Sequence, residues 1–412
     1  MSILLSMASC RLFNSEDDIR YDRTVLVYMA AENSLSWGEF HEQDIDEMVQ
    51  AARDIPEGSR LLIYLDDTEL PRILTIEKQE GRRPARKVLK QYDTEHNSGD
   101  AETLREVMEW TISNSPSSSY GLVLWSHGDA WLPAKAPIQR TICIDNEHNS
   151  HSNSGSKMEI ADVAAALDDF PRLDFILFDA CFMQAVEVAY ELRHVAKYIA
   201  SSPAEIPNPG APYERMIKPM FSSPLNMEAL IDEYYRAYND TEVFVWDYGT
   251  ERYGALLSVV DCDYLDDLAT ATAEMLSRHL TPDRNINLSS VQSYYPISSR
   301  TRPMYHDMND YMKHLIASQD DYAAWKRVFD LAVPYRRATS WWYSNDARTQ
   351  YVNMENYGGL SCYVPQENPI YSSLNDKFAA TSWYKRLKME NSQFTIHNSL
   401  FTIDNSQLTI EN

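Results

Sequence analysis

A cysteine and a histidine brought together can cleave acyl bonds, because a thiolate attacks carbonyl carbon and an imidazole can carry its proton. The chain holds five cysteines, Cys10, Cys143, Cys181, Cys262 and Cys362, far apart and without a Cys-x-x-Cys pair. Cys181 follows the apolar run 175–178 in Asp179-Ala180-Cys181-Phe182, and His127 follows the apolar run 121–125 in Ser126-His127-Gly128-Asp129. Runs this continuous read as strands buried on both faces of a covered, largely parallel sheet. Both residues then fall at the carboxyl ends of strands, the edge where open α/β sheets place ligands and reacting groups. Gly128 allows a close backbone approach, and its N–H together with that of Cys181 could cradle an oxyanion. A lone buried cysteine is more often an inert small hydrophobe, so spacing alone leaves this pair a candidate.

The elements that must position the pair follow a βαβ rhythm. Strands are expected at 24–29, 61–65, 73–77, 120–125, 175–178 and 198–201, and helices at 102–112, 160–167 and 183–197, with Asp100 as an N-cap. The segment 128–157, rich in Pro, Asn, Ser and His, is too long for a tight connection and reads as a functional or disordered loop. Beyond residue 250 come a strand-like 256–260, a helical 264–279 and a strand-like 359–364. The expected division is a leader and tether at 1–22, a catalytic domain at 23–250, a C-terminal α+β subdomain at 251–388, and a tail at 389–412. That tail carries a seven-residue repeat beginning at Asn391, Asn398 and Asn405. The clusters Trp341-Trp342-Tyr343 and Tyr294-Tyr295 read as core or subdomain interface.

Composition narrows the function. The chain has 412 residues, 44% of them hydrophobic and 24% charged, so it is an ordinary folded protein with room for a large core. Its net charge is −24 and no run of Lys or Arg is present, which argues against a nucleic-acid partner and favours basic ligands or peptides. No stretch reaches the ~18 apolar residues of a membrane helix. His148 and His151, with Asp145 and Glu147, match no tight metal spacing, so no metal or other cofactor is expected. Residues 2–10 form an apolar run with small residues before Cys10, a pattern that resembles a bacterial lipobox. Cys10 would then be the lipidated anchor of an exported protein at the outer membrane or cell surface, with periplasmic or extracellular residence as the alternative. The charged residues that should precede such a run are missing after Met1.

Taken together, Leu124-Trp125-Ser126-His127-Gly128 and Leu177-Phe178-Asp179-Ala180-Cys181-Phe182-Met183 resemble the clostripain family of cysteine peptidases, in the clan of caspases, legumains and gingipains. Further matching blocks are Val27-Tyr28-Met29-Ala30-Ala31-Glu32-Asn33-Ser34-Leu35, Asn97-Ser98-Gly99-Asp100, Ser202-Pro203-Ala204-Glu205-Ile206-Pro207, Gly359-Leu360-Ser361-Cys362-Tyr363-Val364-Pro365 and Thr381-Ser382-Trp383-Tyr384. The resemblance spans about residues 24–384.

It implies a caspase-like α/β/α sandwich and a Cys-His dyad. His127 would be the general base and acid, Cys181 the nucleophile, and the N–H groups of Gly128 and Cys181 the oxyanion hole. An acid two positions before the nucleophile, here Asp179, goes with a basic P1 residue in this family; the other reading of Asp179 is a cap on the following helix. Glu205 would be a second acidic wall, although Ser-Pro-Ala-Glu stands where many relatives have Ser-Glu-Glu. Lys135, Arg140 and Lys157 are the basic sites for self-cleavage between the dyad residues. Calcium enters by family analogy only. The rival readings are a catalytically silent surface-binding scaffold, and the same peptidase with a small or acidic P1 preference.

Overall fold

The computed structural model describes residues 20–131, 142–146, 155–240, 244–246, 249–251, 253–281, 286–294, 304–344, 348–366 and 368–390. Nine strands form one sheet: β1 (Tyr21–Ala30), β2 (Ser59–Asp66), β3 (Arg72–Glu77), β4 (Ala85–Gln91), β5 (Ser117–Trp125), β6 (Leu173–Asp179), β7 (Ala196–Ser201), β8 (Leu256–Asp261) and β9 (Tyr335–Ala338). Their order is β9-β8-β7-β6-β5-β1-β2-β3-β4. The five central strands run parallel, and antiparallel pairs extend the sheet at both edges. The apolar runs seen in the sequence are these central strands, covered on both faces.

Because side chains alternate across a strand, one face carries Leu26, Tyr28, Leu62, Tyr64, Leu122, Leu124, Ile176 and Phe178, packed on helices Ala101–Asn114, Ile160–Leu167 and Leu265–His279. The other carries Val25, Val27, Leu61, Ile63, Val123, Trp125, Phe175 and Leu177, packed on helices Phe40–Ala51, Tyr213–Met220 and Met227–Asn239. The α/β/α sandwich is therefore present. Asp100 caps Ala101–Asn114 as expected, accepting from the Glu102 N–H at 3.0 Å. Residues 256–338 add β8 and β9 to the same sheet.

Three expectations change. The helix expected at 183–197 shrinks to Val186–Glu191. Gln184 donates its N–H to the Ser202 carbonyl and accepts from the Ser361 N–H, and these bonds hold 183–185 extended. Within 359–364 only Ser361–Cys362 pairs as strand, with His306–Asp307. The segment read as one loop contains a hairpin, Ile142–Asp145 with Ser156–Met158, that packs beside the end of β1. Trp342 and Tyr294 are buried with ring centroids 6.3 Å apart, as core aromatics should be; Tyr295 lies outside the described residues.

Candidate active site

Register brings the two candidate residues together. Trp125, the last residue of β5, pairs with Asp179, the last of β6. Two further residues on each chain reach His127 and Cys181, so they leave adjacent strands, ~4.8 Å apart, at the same level. The Ser126 N–H still reaches the Asp179 carbonyl at 3.4 Å. Gly128 lies against the other turn so closely that a Cβ there would stand 2.9 Å from Ala180 Cβ and 3.0 Å from both the Cys181 carbonyl oxygen and Met183 Sδ.

Cys181 differs from the other described thiols. Cys143, Cys262 and Cys362 are buried, and burial pushes all three thiols above their ordinary range. Cys181 is half-buried, and its Sγ accepts the Ile206 N–H at 3.3 Å. Phe182 has a φ of 63°, a left-handed conformation that turns the chain sharply after the cysteine. The strap 202–206 holds this turn through Phe182 N–H to Ala204 O and Gln184 N–H to Ser202 O, both at 3.0 Å. Glu205 is half-buried on that strap, one residue before the contact to Sγ.

His127 is half-buried as well, and its Nε2 lies 2.8 Å from Ser34 Oγ. Sequence reading missed Ser34, because it belongs to the turn after β1 and only pairing of β1 with β5 brings it to His127. That turn is fixed by Asn33, whose Nδ2 donates to Ala30 O at 2.8 Å and Ile144 O at 2.9 Å.

Asp179 is buried on the opposite face of β6 from Ala180, at 5% exposure. It caps no helix, since the next one begins at Val186 after Ala185. Its carboxylate accepts from the Ala211 N–H at 3.1 and 3.2 Å and from the Tyr213 hydroxyl at 3.0 Å. Burial pushes its pKa up to about 6 against the pull of those two donors. Gly210, at φ 64°, passes with its Cα so near that a Cβ would meet Asp179 Oδ2 at 3.1 Å. A second acid on this face, Asp44, accepts the Trp125 indole N–H at 2.6 Å; burial, and then Asp179, raise its pKa well above the usual carboxylate range. No motif pointed to Asp44, which arrives from helix Phe40–Ala51.

Lys157 is half-buried on the hairpin strand Ser156–Met158. Cys10, Lys135, Arg140, Glu147, His148 and His151 lie outside the described residues. Two side-chain groups among the described residues have metal-ligand geometry: His41, Glu42 and Asp67, and Glu32, Asp66 and Asp145. The first is accounted for by a cation already there, because Arg72 grips Asp67 with both terminal nitrogens at 3.0 and 2.8 Å.

Comparison with known proteins gives a consistent picture. The clostripain family matches residues 27–399. A secreted C11 cysteine protease from Bacteroides thetaiotaomicron, solved with an irreversible peptide inhibitor, superposes with a TM-score of 0.76 at 31% identity, over 90% of this chain and 99% of that one. An inactive zymogen C11 protease from Parabacteroides distasonis gives 0.74 at 32%, over 89% and 98%. Clostripain of Hathewaya histolytica is 25% identical over 220 residues, 47% of this chain and 41% of that protein, so the aligned chain spans less than half of that relative.

Proposed function

Since the chain belongs to the clostripain family, whose solved relatives are cysteine proteases, we propose that it is an exported endopeptidase that cleaves after Arg or Lys through a thioester intermediate. The observation that supports the reading is the register pairing of Trp125 with Asp179, which ends β5 and β6 at the same level, two residues before His127 and before Cys181, the one described thiol that is not buried.

His127 takes the Cys181 proton as Sγ attacks the peptide carbonyl carbon, and the charge on that oxygen is met by the N–H groups of Gly128 and Cys181. The C–N bond then breaks, the proton on His127 passes to the leaving amine, and the acyl group remains on sulfur. Water, deprotonated by His127, attacks the thioester and releases the acid and the thiol. Asp179 receives the P1 cation at the base of the pocket, with Glu205 on the strap as a second acidic wall. Lys135, Arg140 and Lys157 are the sites for self-cleavage, an idea that the zymogen state of the Parabacteroides relative encourages. Export, with a lipid anchor at Cys10, fits the secreted Bacteroides relative. No described helix is long and apolar enough to cross a membrane.

The test is hydrolysis of fluorogenic peptides with Arg, Lys, Ala or Asp at P1 by the purified chain and by Cys181→Ala. Cleavage of the Arg and Lys peptides alone, lost in the variant, is the expected result. Activity confined to the Ala or Asp peptides would keep the mechanism and remove the basic pocket. Silence on all four, with no labelling of Cys181 by a peptidyl acyloxymethyl ketone, would move the protein to the binding-scaffold reading.

A further inference from the structure

Tyr305 touches both turns of the candidate site from a segment far outside the strands that carry them. Its hydroxyl donates to the Asp129 carbonyl at 2.9 Å and to Asp129 Oδ1 at 3.1 Å, two residues after His127. Its ring centroid lies 5.4 Å from that of Phe182, the residue directly after Cys181, with the two planes inclined by 32°. Tyr305 is 0% exposed and Asp129 2% exposed. A phenol sealed from water must find a protein partner for its hydroxyl, and here that partner belongs to the His127 turn.

The position of the ring is set from the Cys181 side. The Tyr305 carbonyl accepts the Tyr294 N–H at 2.8 Å, and the next two residues, His306–Asp307, pair with Ser361–Cys362. Ser361 in turn donates its N–H at 2.9 Å and its hydroxyl at 3.2 Å to the Gln184 carbonyl, three residues past Cys181. Backbone pairing thus runs from the chain after Cys181 to Tyr305, and the phenol reaches from there to the chain after His127. That chain is held from the C-terminal part a second time, because Trp131 packs on Tyr363 and Phe378 with ring centroids 5.4 and 5.9 Å away.

We propose that Tyr305 is a positioning residue for peptide hydrolysis, a strut from the C-terminal part of the chain that sets the separation of the His127 and Cys181 turns. This role rests on the peptidase reading, since only a reaction between the two turns makes their spacing matter. The Asp129 bond fixes the peptide that follows Gly128, whose N–H is the proposed oxyanion donor. The Phe182 contact braces the left-handed bend, at φ 63°, that turns the chain after Cys181. A nearby imidazolium favours a thiolate, so the same spacing also sets the pH at which Cys181 becomes reactive.

Tyr305→Phe keeps the ring and deletes only the hydroxyl. Parent and variant, each as the full chain, are compared from pH 5 to 9 in hydrolysis of the peptide that the parent cleaves best and in the rate of Cys181 labelling by a peptidyl acyloxymethyl ketone. In the variant kcat should fall about tenfold, the effect of losing one buried hydrogen bond that aligns reacting groups, with KM nearly unchanged. The pH at which labelling rises should move upward, because a more distant imidazolium stabilises the thiolate less. Asp129→Asn, which keeps the backbone carbonyl and a side-chain oxygen as acceptors, should retain most of the activity, and Tyr351→Phe, at 77% exposure, should change nothing. Phe182→Leu removes the ring contact on the other side and should give the same upward shift, which keeps the role testable should Tyr305→Phe not fold. A folded Tyr305→Phe or Phe182→Leu that loses only melting temperature, with the parent's kcat and labelling curve, would overturn the role and leave the tyrosine as core packing. A parent that neither cleaves nor labels would bring down the peptidase reading, and this role with it.

Discussion

Ser34 Oγ lies 2.8 Å from His127 Nε2, and the turn that carries Ser34 is locked by Asn33, whose Oδ1 also accepts the Leu35 N–H at 3.0 Å. With Nε2–H donating to that hydroxyl, Nδ1 is left to take the thiol proton. Ser34 is thus a positioning residue. Ser34→Ala should lower kcat about fivefold, the worth of a hydrogen bond of ~1 kcal/mol, leave KM nearly unchanged, and shift the pH at which activity rises. A variant that raises KM at constant kcat and an unmoved pH profile would place Ser34 in substrate binding instead.

As the proposed P1 acid, Asp179 should make P1 selection sensitive to pH. Its carboxyl, raised to about 6 by burial, is ionised above that pH and neutral below it. A P1 guanidinium needs the ionised form, so KM for an Arg peptide should climb as the pH falls from 7.5 to 5, while KM for an Ala peptide stays flat. Asp179→Asn should remove the difference and cost at least roughly thirtyfold in kcat/KM for Arg, the lower range for a buried charge partner. Parallel pH curves for the two peptides would take Asp179 out of the pocket.

What could be read in advance follows from physics that acts along the chain. Continuous apolar runs such as 121–125 and 175–178 announce buried parallel strands whatever surrounds them, and the ends of those runs marked His127 and Cys181. Asp100 could be read as a cap because capping is local. The helix expected at 183–197 was misread because the apolar spacing is compatible with helix, while the bonds from Gln184 to Ser202 and Ser361 that keep its start extended are tertiary. Ser34, Asp44 and the Glu32–Asp66–Asp145 group were invisible for the same reason: each depends on which strand lies next to which, and single-sequence spacing carries no strand order.

Gly128 couples the two turns, since no side chain fits between it and Ala180, Cys181 and Met183. Gly128→Ala must push the His127 turn away from the Cys181 turn, at about 1–3 kcal/mol in stability for the overpacking. At a temperature where the variant remains folded, kcat/KM should drop by at least roughly a hundredfold, because a misplacement of about 1 Å has that effect on reacting groups. Full activity in a folded variant, measured beside its near-UV circular dichroism, would show that the turns can separate without harm.

His306 supplies a prediction about acid stability rather than catalysis. It is 1% exposed, neither ring nitrogen has a hydrogen-bond partner among the described residues, and burial lowers its pKa to about 4. The unfolded chain binds that proton near pH 6.5, so the group's contribution to stability is intact above 6.5 and is lost as the pH falls towards 4, by roughly 3 kcal/mol in all. Its neighbour Asp307, raised to about 6 by burial, acts in the opposite direction, losing its contribution as the pH rises through 6. The comparison must therefore be made against a variant that removes only the histidine. Urea unfolding of His306→Leu and of the parent should give similar stabilities at pH 7.5 and a variant advantage of roughly 3 kcal/mol at pH 4. Curves that stay parallel across this range would mean that His306 takes up its proton in the folded state.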